Sequence, residues 1–262
     1  MNHQTQQTPR RVRAQLCVWG TTQLHLRNPA VIGFWSAIFP GMGHMMLSLY
    51  IRGFILFIWE VLVNVFSHLN LAIFYTFTGQ FGLAKETFDT RWAIFYIPVY
   101  LFAIWDSYRI TVKLNNQFVL AAREDAEVHP FILHPLGINH IDKGSPRMAV
   151  LWSMLTPGTG QLINHRLVLA FFLIGWWGAI IYFSRVLPAI HYTMQGMFDE
   201  AKAAVDPQWL LNIPSVYCFG VYDAYMDTVE SNKLFEWEQG KFLKRQYQSA
   251  AFPMPFRRKE VL

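Results

Sequence analysis

Two apolar stretches of this chain are each interrupted by a proline followed by two glycines: "IFPGMGHM" carries Pro40, Gly41 and Gly43, and "LTPGTGQL" carries Pro157, Gly158 and Gly160. Proline removes a backbone donor and clashes with the carbonyl one turn back, while glycine tolerates positive φ, so a helix entering such a motif cannot continue along its own axis. The chain is therefore forced to turn twice in surroundings too apolar for an ordinary loop.

Both motifs belong to a longer repetition. Laying residues 28–118 over 145–235 at a constant offset of 117, without gaps, gives 30 identical pairs among 91 positions. They include Trp35/Trp152, Ser36/Ser153, Trp59/Trp176, Ser67/Ser184, Asp89/Asp206, Trp92/Trp209, Tyr100/Tyr217, Asp106/Asp223 and Asn115/Asn232. Identity continues into the polar connection after the second apolar segment, where a loop on the opposite side of a membrane would meet different chemistry. Two halves of the same orientation are expected on that ground, with an inverted pair as the alternative.

Composition sets the environment. Hydrophobic residues make up 53% of the 262-residue chain and charged residues 15%, against roughly 25% charged in an ordinary soluble domain. The apolar residues fall in runs, some near the ~20 residues that cross a bilayer and others half that length. From Pro29 to Phe39 the first element of each half extends only about 16 Å as a helix, half of a ~30 Å hydrocarbon core, so it dips in and returns. The second element, Gly53 to Phe77 and Ala170 to Met194, reads as a full crossing. The third runs from Trp92 or Trp209 to Asp106 or Asp223, and no proline follows for many residues, so this helix continues out of the bilayer.

The expected fold is an all-α integral membrane protein with pseudo-two-fold tandem repeats. Each half contains a Pro-Gly-broken re-entrant hairpin and two transmembrane helices, the last extending into the cytoplasm. The corresponding units are an interfacial segment 1–27, repeat 28–118, a cytoplasmic connection 119–144, repeat 145–235, and a helical extension with basic tail 236–262. Within "TPRRVRAQLCVWG", Val12, Leu16 and Trp19 stand about a turn apart, which suits a helix in the headgroup plane; a disordered tail is the alternative.

The formal charge of +5 gathers at the ends, in Arg10, Arg11 and Arg13 and in Lys241, Lys244, Arg245, Arg257, Arg258 and Lys259. Beside membrane segments such clusters read as the positive-inside bias and as attraction to anionic lipid headgroups rather than to nucleic acid. Both termini are accordingly placed in the cytoplasm of a bacterial inner-membrane protein, with Thr78 to Arg91 and Gln195 to Gln208 outside. Cys17 and Cys218 are expected as plain thiols.

An apolar helix, a P-G-x-G-[HQ] motif, a long apolar helix and then an aspartate closing the next apolar stretch ("AIWDSYR", "GVYDAYM") resembles the TM2 domain and related bacterial P-G-x-G-Q membrane proteins, here as two tandem copies. After the glycines this chain reads "HMMLSLY" and "QLINHRL" where the TM2 pattern has a histidine and then Arg-Phe-Tyr-Leu-Gly. The resemblance implies a membrane module, with neither an enzymatic activity nor a cofactor to carry over.

An acid within an apolar run is a functional suspect. Asp106 and Asp223 are read as anchors of the Pro-Gly motif or as contacts for an ion or substrate, together with the motif's own His44 and Gln161. Glu60, opposite Trp177 in the other half, is read as pairing with His68 or Arg185, meeting a partner subunit, or titrating. His129, His134 and His140 lack the spacing of a metal site and read as loop histidines, so no metal and no cofactor are expected. The sequence points to a non-catalytic scaffold or accessory subunit of a larger membrane assembly, docking protein partners through Phe235, Trp237, Phe242 and Tyr247. A solute, ion or lipid transporter with its path between the two broken hairpins is the first alternative, and an intramembrane enzyme acting on lipid is the second.

Overall fold

The computed structural model describes residues 9–249; the basic residues Arg257, Arg258 and Lys259 lie outside them. The first half begins with a hairpin of β1 (Ala14–Cys17) and β2 (Gly20–Gln23). It continues through α1 (Pro29–Ile38), α2 (Met42–Met46), α3 (Tyr50–Ser67), α4 (Leu69–Phe77), α5 (Phe81–Thr87) and the long α6 (Thr90–Glu124). The second half repeats the order: β3 (Phe131–His134), β4 (Gly137–His140), α7 (Pro146–Leu155), α8 (Thr159–Ile163), α9 (Leu167–Ser184), α10 (Val186–Met194) and α11 (Phe198–Ala204). Each of these starts and ends 117 positions after its counterpart. Only the last helix differs, divided into α12 (Pro207–Leu210) and α13 (Asn212–Tyr247), where Pro214 has no amide to donate to Leu210.

The hairpins replace the helix expected before the first repeat. Ala14 and Leu16 are buried while Gln15 and Cys17 are exposed, a period of two that four residues announce too faintly beside the helical spacing of Val12, Leu16 and Trp19. Register closes Cys17 on Gly20 and His134 on Gly137, leaving two-residue turns. The hairpin lies at the same offset in both halves although Leu16/Leu133 and Gly20/Gly137 are its sole identities between residues 14 and 23.

The Pro-Gly motif works through two contacts. Gly41 and Gly158 adopt φ 99 and 105, the left-handed region where glycine is favoured, and a Cβ there would stand 2.3 Å from Gly53 O and 2.7 Å from Ala170 O. The second glycine presses on the incoming helix: a Cβ on Gly43 would lie 2.3 Å from Ser36 Oγ and 2.5 Å from Ile32 O, and one on Gly160 2.2 Å from Ser153 Oγ. One glycine thus turns the chain onto the following helix, and the other folds the short α2 or α8 back on α1 or α7. We call this unit the finger.

Contacts along α6 give the finger's depth. Arg27 N donates to Asn115 Oδ1 (3.0 Å), and Tyr100 Oη donates to Ala37 O (2.7 Å), so α1 descends past three or four turns of α6. His44 and Arg52 then reach Asp106, back toward the start. From there α3 runs down the remainder of α6, with Trp59 stacked on Tyr96 and Phe66 on Trp92. The second half repeats the ladder through Asn232 with Gly144, Tyr217 with Met154 and Phe183 with Trp209.

The 25-residue crossing expected from Gly53 to Phe77 is broken instead at His68 (φ 54), and its counterpart at Arg185 (φ 53). The break leaves Ser67 O and Ser184 O to accept the amides of Asp89 (3.1 Å) and Asp206 (3.0 Å), while those aspartates cap the next helix through Arg91 N and Gln208 N. A hydropathy profile does not register such a break, because the residues on either side stay apolar. Among the described residues two helices, Tyr50–Ser67 and Leu167–Ser184, are long and apolar enough to cross a membrane; α6 and α13 reach farther but are apolar over only part of their length.

The halves meet through one-way contacts rather than the expected pseudo-two-fold. Trp35 packs on Phe219 and Tyr222, and Phe57 on Phe172 and Trp176. Trp35 is 6% exposed but its counterpart Trp152 is 46% exposed. Leu16 and Leu133 differ likewise, at 5% and 72%. An isologous contact would bury both members of each pair, so the interface is head-to-tail.

Candidate functional site

The duplicated aspartates lie at the base of the fingers, each with the residue that closes its P-G-x-G motif. Gln161 Nε2 donates to Asp223 Oδ2 (3.1 Å) and to Gly220 O (2.8 Å); His44 Nε2 lies 3.3 Å from Asp106 Oδ2. Side chains at matching positions thus tie the long helix to the finger through a carboxylate rather than through the motif's backbone.

The cations that neutralise these acids come from unmatched positions. In the second half Arg166 Nη1 is 2.9 Å from both oxygens of Asp223 and 3.4 Å from Asp227, with Arg166 and Asp223 each 3% exposed. Arg166 Nη2 also donates to Met45 O (3.1 Å) in the opposite half. In the first half Asp106 takes Arg52 (2.7 Å) and Arg109 (2.5 Å), although Leu49 is the counterpart of Arg166. A buried carboxylate needs a paired cation and further hydrogen bonds to offset its desolvation, and the two halves meet that need from different turns.

Half-buried groups surround the second cluster. Arg27 bonds Met46 O and lines, with His25, Arg166, Asp223 and Asp227, a cavity of about 100 Å³. Burial lowers the Arg27 guanidinium to about 10 and, with Arg27 beside it, the His25 imidazole to about 3. Burial pushes the Asp227 carboxyl up to about 6 against the pull of Arg166, and the carboxylates around Arg166 hold its guanidinium charged despite its burial.

Glu60 pairs with neither His68 nor Arg185. Asn64 Nδ2 donates to its Oε1 (3.3 Å) and to Asn70 Oδ1 (3.1 Å). The network then crosses between the halves: Asn70 Nδ2 donates to Gln208 O (3.0 Å), and Gln208 Nε2 donates to Asn64 Oδ1 (2.7 Å). Trp177, Ile181, Leu187 and Arg91 stand at the matching positions, so this polar seam exists only where the halves touch.

Of the four aromatic residues expected to dock partners, Trp237 is engaged within the fold, packed against the cluster of Ala14, Leu16, Val128 and Leu234 with Arg13 and Lys241 over its ring. Phe235 is half-buried, while Phe242 and Tyr247 are exposed. The second hairpin also exposes apolar side chains, with Leu133 and Leu136. His134 and His140 end its strands, and among the described residues no group of three or more His, Cys, Asp or Glu gathers as a metal site would.

The chain matches no protein family, no curated protein and no solved structure. Sequence reasoning missed Arg27, Arg52, Arg109, Arg166 and Asp227. One signal was available: Arg52 and Arg166 border the two longest apolar helices, where a guanidinium has reason to stay only if an acid waits for it.

Proposed function

We propose that the chain is a non-catalytic integral membrane scaffold or accessory subunit, built as two TM2-like units set head to tail in a bacterial cytoplasmic membrane. The observation that carries this reading is how the space between the halves is filled. Trp35 packs on Phe219 and Tyr222, and Phe57 on Phe172 and Trp176, two aromatic contacts within one buried apolar cluster, and the acids below it are closed in ion pairs. A transport path between the hairpins would need that layer open, so the transporter reading is the weaker one.

Both termini, both β-hairpins and the ends of α6 and α13 belong on the cytoplasmic side in this reading, with α5 and α11 outside. The finger returns to the side it entered: after the second finger, His165 Nε2 lies 3.1 Å from Val18 O, and Leu167 N donates to Trp19 O (3.1 Å). A hairpin that precedes one finger thus touches the chain that leaves the other. The surface offered to partners is the second hairpin with the exposed end of α13 at Phe242 and Tyr247.

A photo-crosslinking residue at Leu136 or Phe242, introduced in cells, is expected to trap a discrete protein neighbour. The same residue at Leu16 should cross-link within the chain. Absence of any protein adduct at Leu136 and Phe242, together with solute flux in liposomes holding the purified chain, would overturn the scaffold reading in favour of transport.

A further inference from the structure

The two ion clusters differ in what lies over them. In the second half the base of the finger is covered by the first half: Phe172 stacks on Phe54, Phe219 meets Trp35, and Leu173 and Phe219 are fully buried. Charge there is balanced, with Arg166 and Arg27 beside Asp223 and Asp227. In the first half the matching place is open. A groove of about 790 Å³ runs between α3 and α6, walled by Ile51, Ile55, Leu56 and Phe102 and bordered by Arg52 and Arg109. These two guanidiniums share one carboxylate, Asp106, and keep 51% and 41% of their side chains exposed. Ile110 stands where the second half has Asp227, so no second acid offsets the extra charge.

We infer that this groove seats one phospholipid with an anionic headgroup, its phosphate on Arg52 and Arg109 and an acyl chain along Ile55 and Phe102. Three observations support that occupant. One net positive charge is left at the groove mouth. The groove is apolar directly below it. Its counterpart in the other half is filled by the apolar side chains Phe54 and Trp35, so hydrocarbon suits the same walls. The exposed stripe Ile51, Ile55, Ile58, Leu62 of α3 carries the apolar surface onward from the guanidiniums, the order of headgroup and chain in one leaflet. The inference rests on the membrane reading above. One uncompensated basic charge near a membrane surface favours an anionic headgroup about fivefold.

The test is native mass spectrometry of the full chain in mild detergent, titrated with phosphatidylglycerol or with phosphatidylcholine of the same acyl chains. We expect one phosphatidylglycerol retained at about fivefold lower concentration than phosphatidylcholine. That preference should be lost in Arg52→Gln/Arg109→Gln and kept in Arg52→Lys/Arg109→Lys. Because removing both arginines strips Asp106 of its cations, Ile55→Trp provides an independent arm: it fills the groove, leaves the cluster intact, and should also lower retention of both lipids. Equal retention of the two lipids, or undiminished binding in Ile55→Trp, would overturn the proposal. So would displacement of the lipid by millimolar inorganic phosphate, or a lipid-free dimer, which would assign the groove to a second copy. A chain that stays soluble without detergent would refute the membrane reading itself, whereas a detergent-dependent chain without lipid preference refutes only the lipid site.

Discussion

At the scale of single residues, the finger depends on two glycines with different duties. Gly43→Ala places a methyl against Ser36 Oγ and Ile32 O, and overpacking of this kind costs roughly 1 to 3 kcal/mol. A clearly lowered unfolding temperature in detergent is therefore expected for Gly43→Ala and Gly160→Ala. Gly175→Ala and Gly178→Ala, with nothing within 4 Å of the added carbon, should leave it unchanged or raised. The buried pair gives a second test: Asp223→Asn leaves Arg166 without its main partner, and breaking a buried pair costs about 3 to 5 kcal/mol. Replacing both by apolar residues should cost less than either change alone. pH separates two neighbours beyond the apolar part of α13. Asp227 has its carboxyl raised to about 6 from an ordinary ~3.9, so its contribution is greatest below about pH 4 and is lost as pH rises through 6. His25, lowered to about 3 from ~6.5, contributes stability above pH 6.5 that is lost as pH falls. Thermal unfolding between pH 4 and 7 should therefore show a steeper acid loss in Asp227→Asn and a shallower one in His25→Gln.

At the scale of elements, much of the helix pattern was legible because it rests on residue types that act locally. Pro40 and Gly41 stop α1, Pro29 and Pro146 open helices at their first position, and the lack of breakers after Asp106 lets α6 run to Glu124. The break at His68 was not legible, since its cause is distant: an amide from Asp89 takes the carbonyl that a continuous helix would have used. His68 and Arg185 hold positive φ, so His68→Gly and Arg185→Gly should be neutral or stabilising. His68→Ile should lower stability by roughly 1 to 2 kcal/mol, as read from thermal unfolding. The hairpins escaped notice because strands of four residues carry too little alternation to outweigh a chance helical spacing. Half of each ion cluster was readable, namely the acid and its motif neighbour; the arginines were not, since each half takes them from a different turn.

At the scale of the whole molecule, a head-to-tail arrangement explains why matching positions hold different chemistry. Where the halves touch, Asn64, Asn70 and Gln208 bury and satisfy one another; at the matching place away from that contact Leu187 is exposed. Asn70→Leu should thus weaken the contact between the halves, leaving Gln208 with an unmet partner, while Leu187→Ala should have little effect on unfolding. Everything in this account rests on the finger returning to the side it entered. Its most direct test is cysteine labelling with a membrane-impermeant maleimide, in intact cells and after permeabilisation, in a background where Cys17 and Cys218 are serine. Single cysteines at Ser48 and Leu136 should react only after permeabilisation, and one at Thr78 should react in intact cells. Labelling of Ser48 in intact cells would show that the finger passes through the membrane, and the account would be wrong.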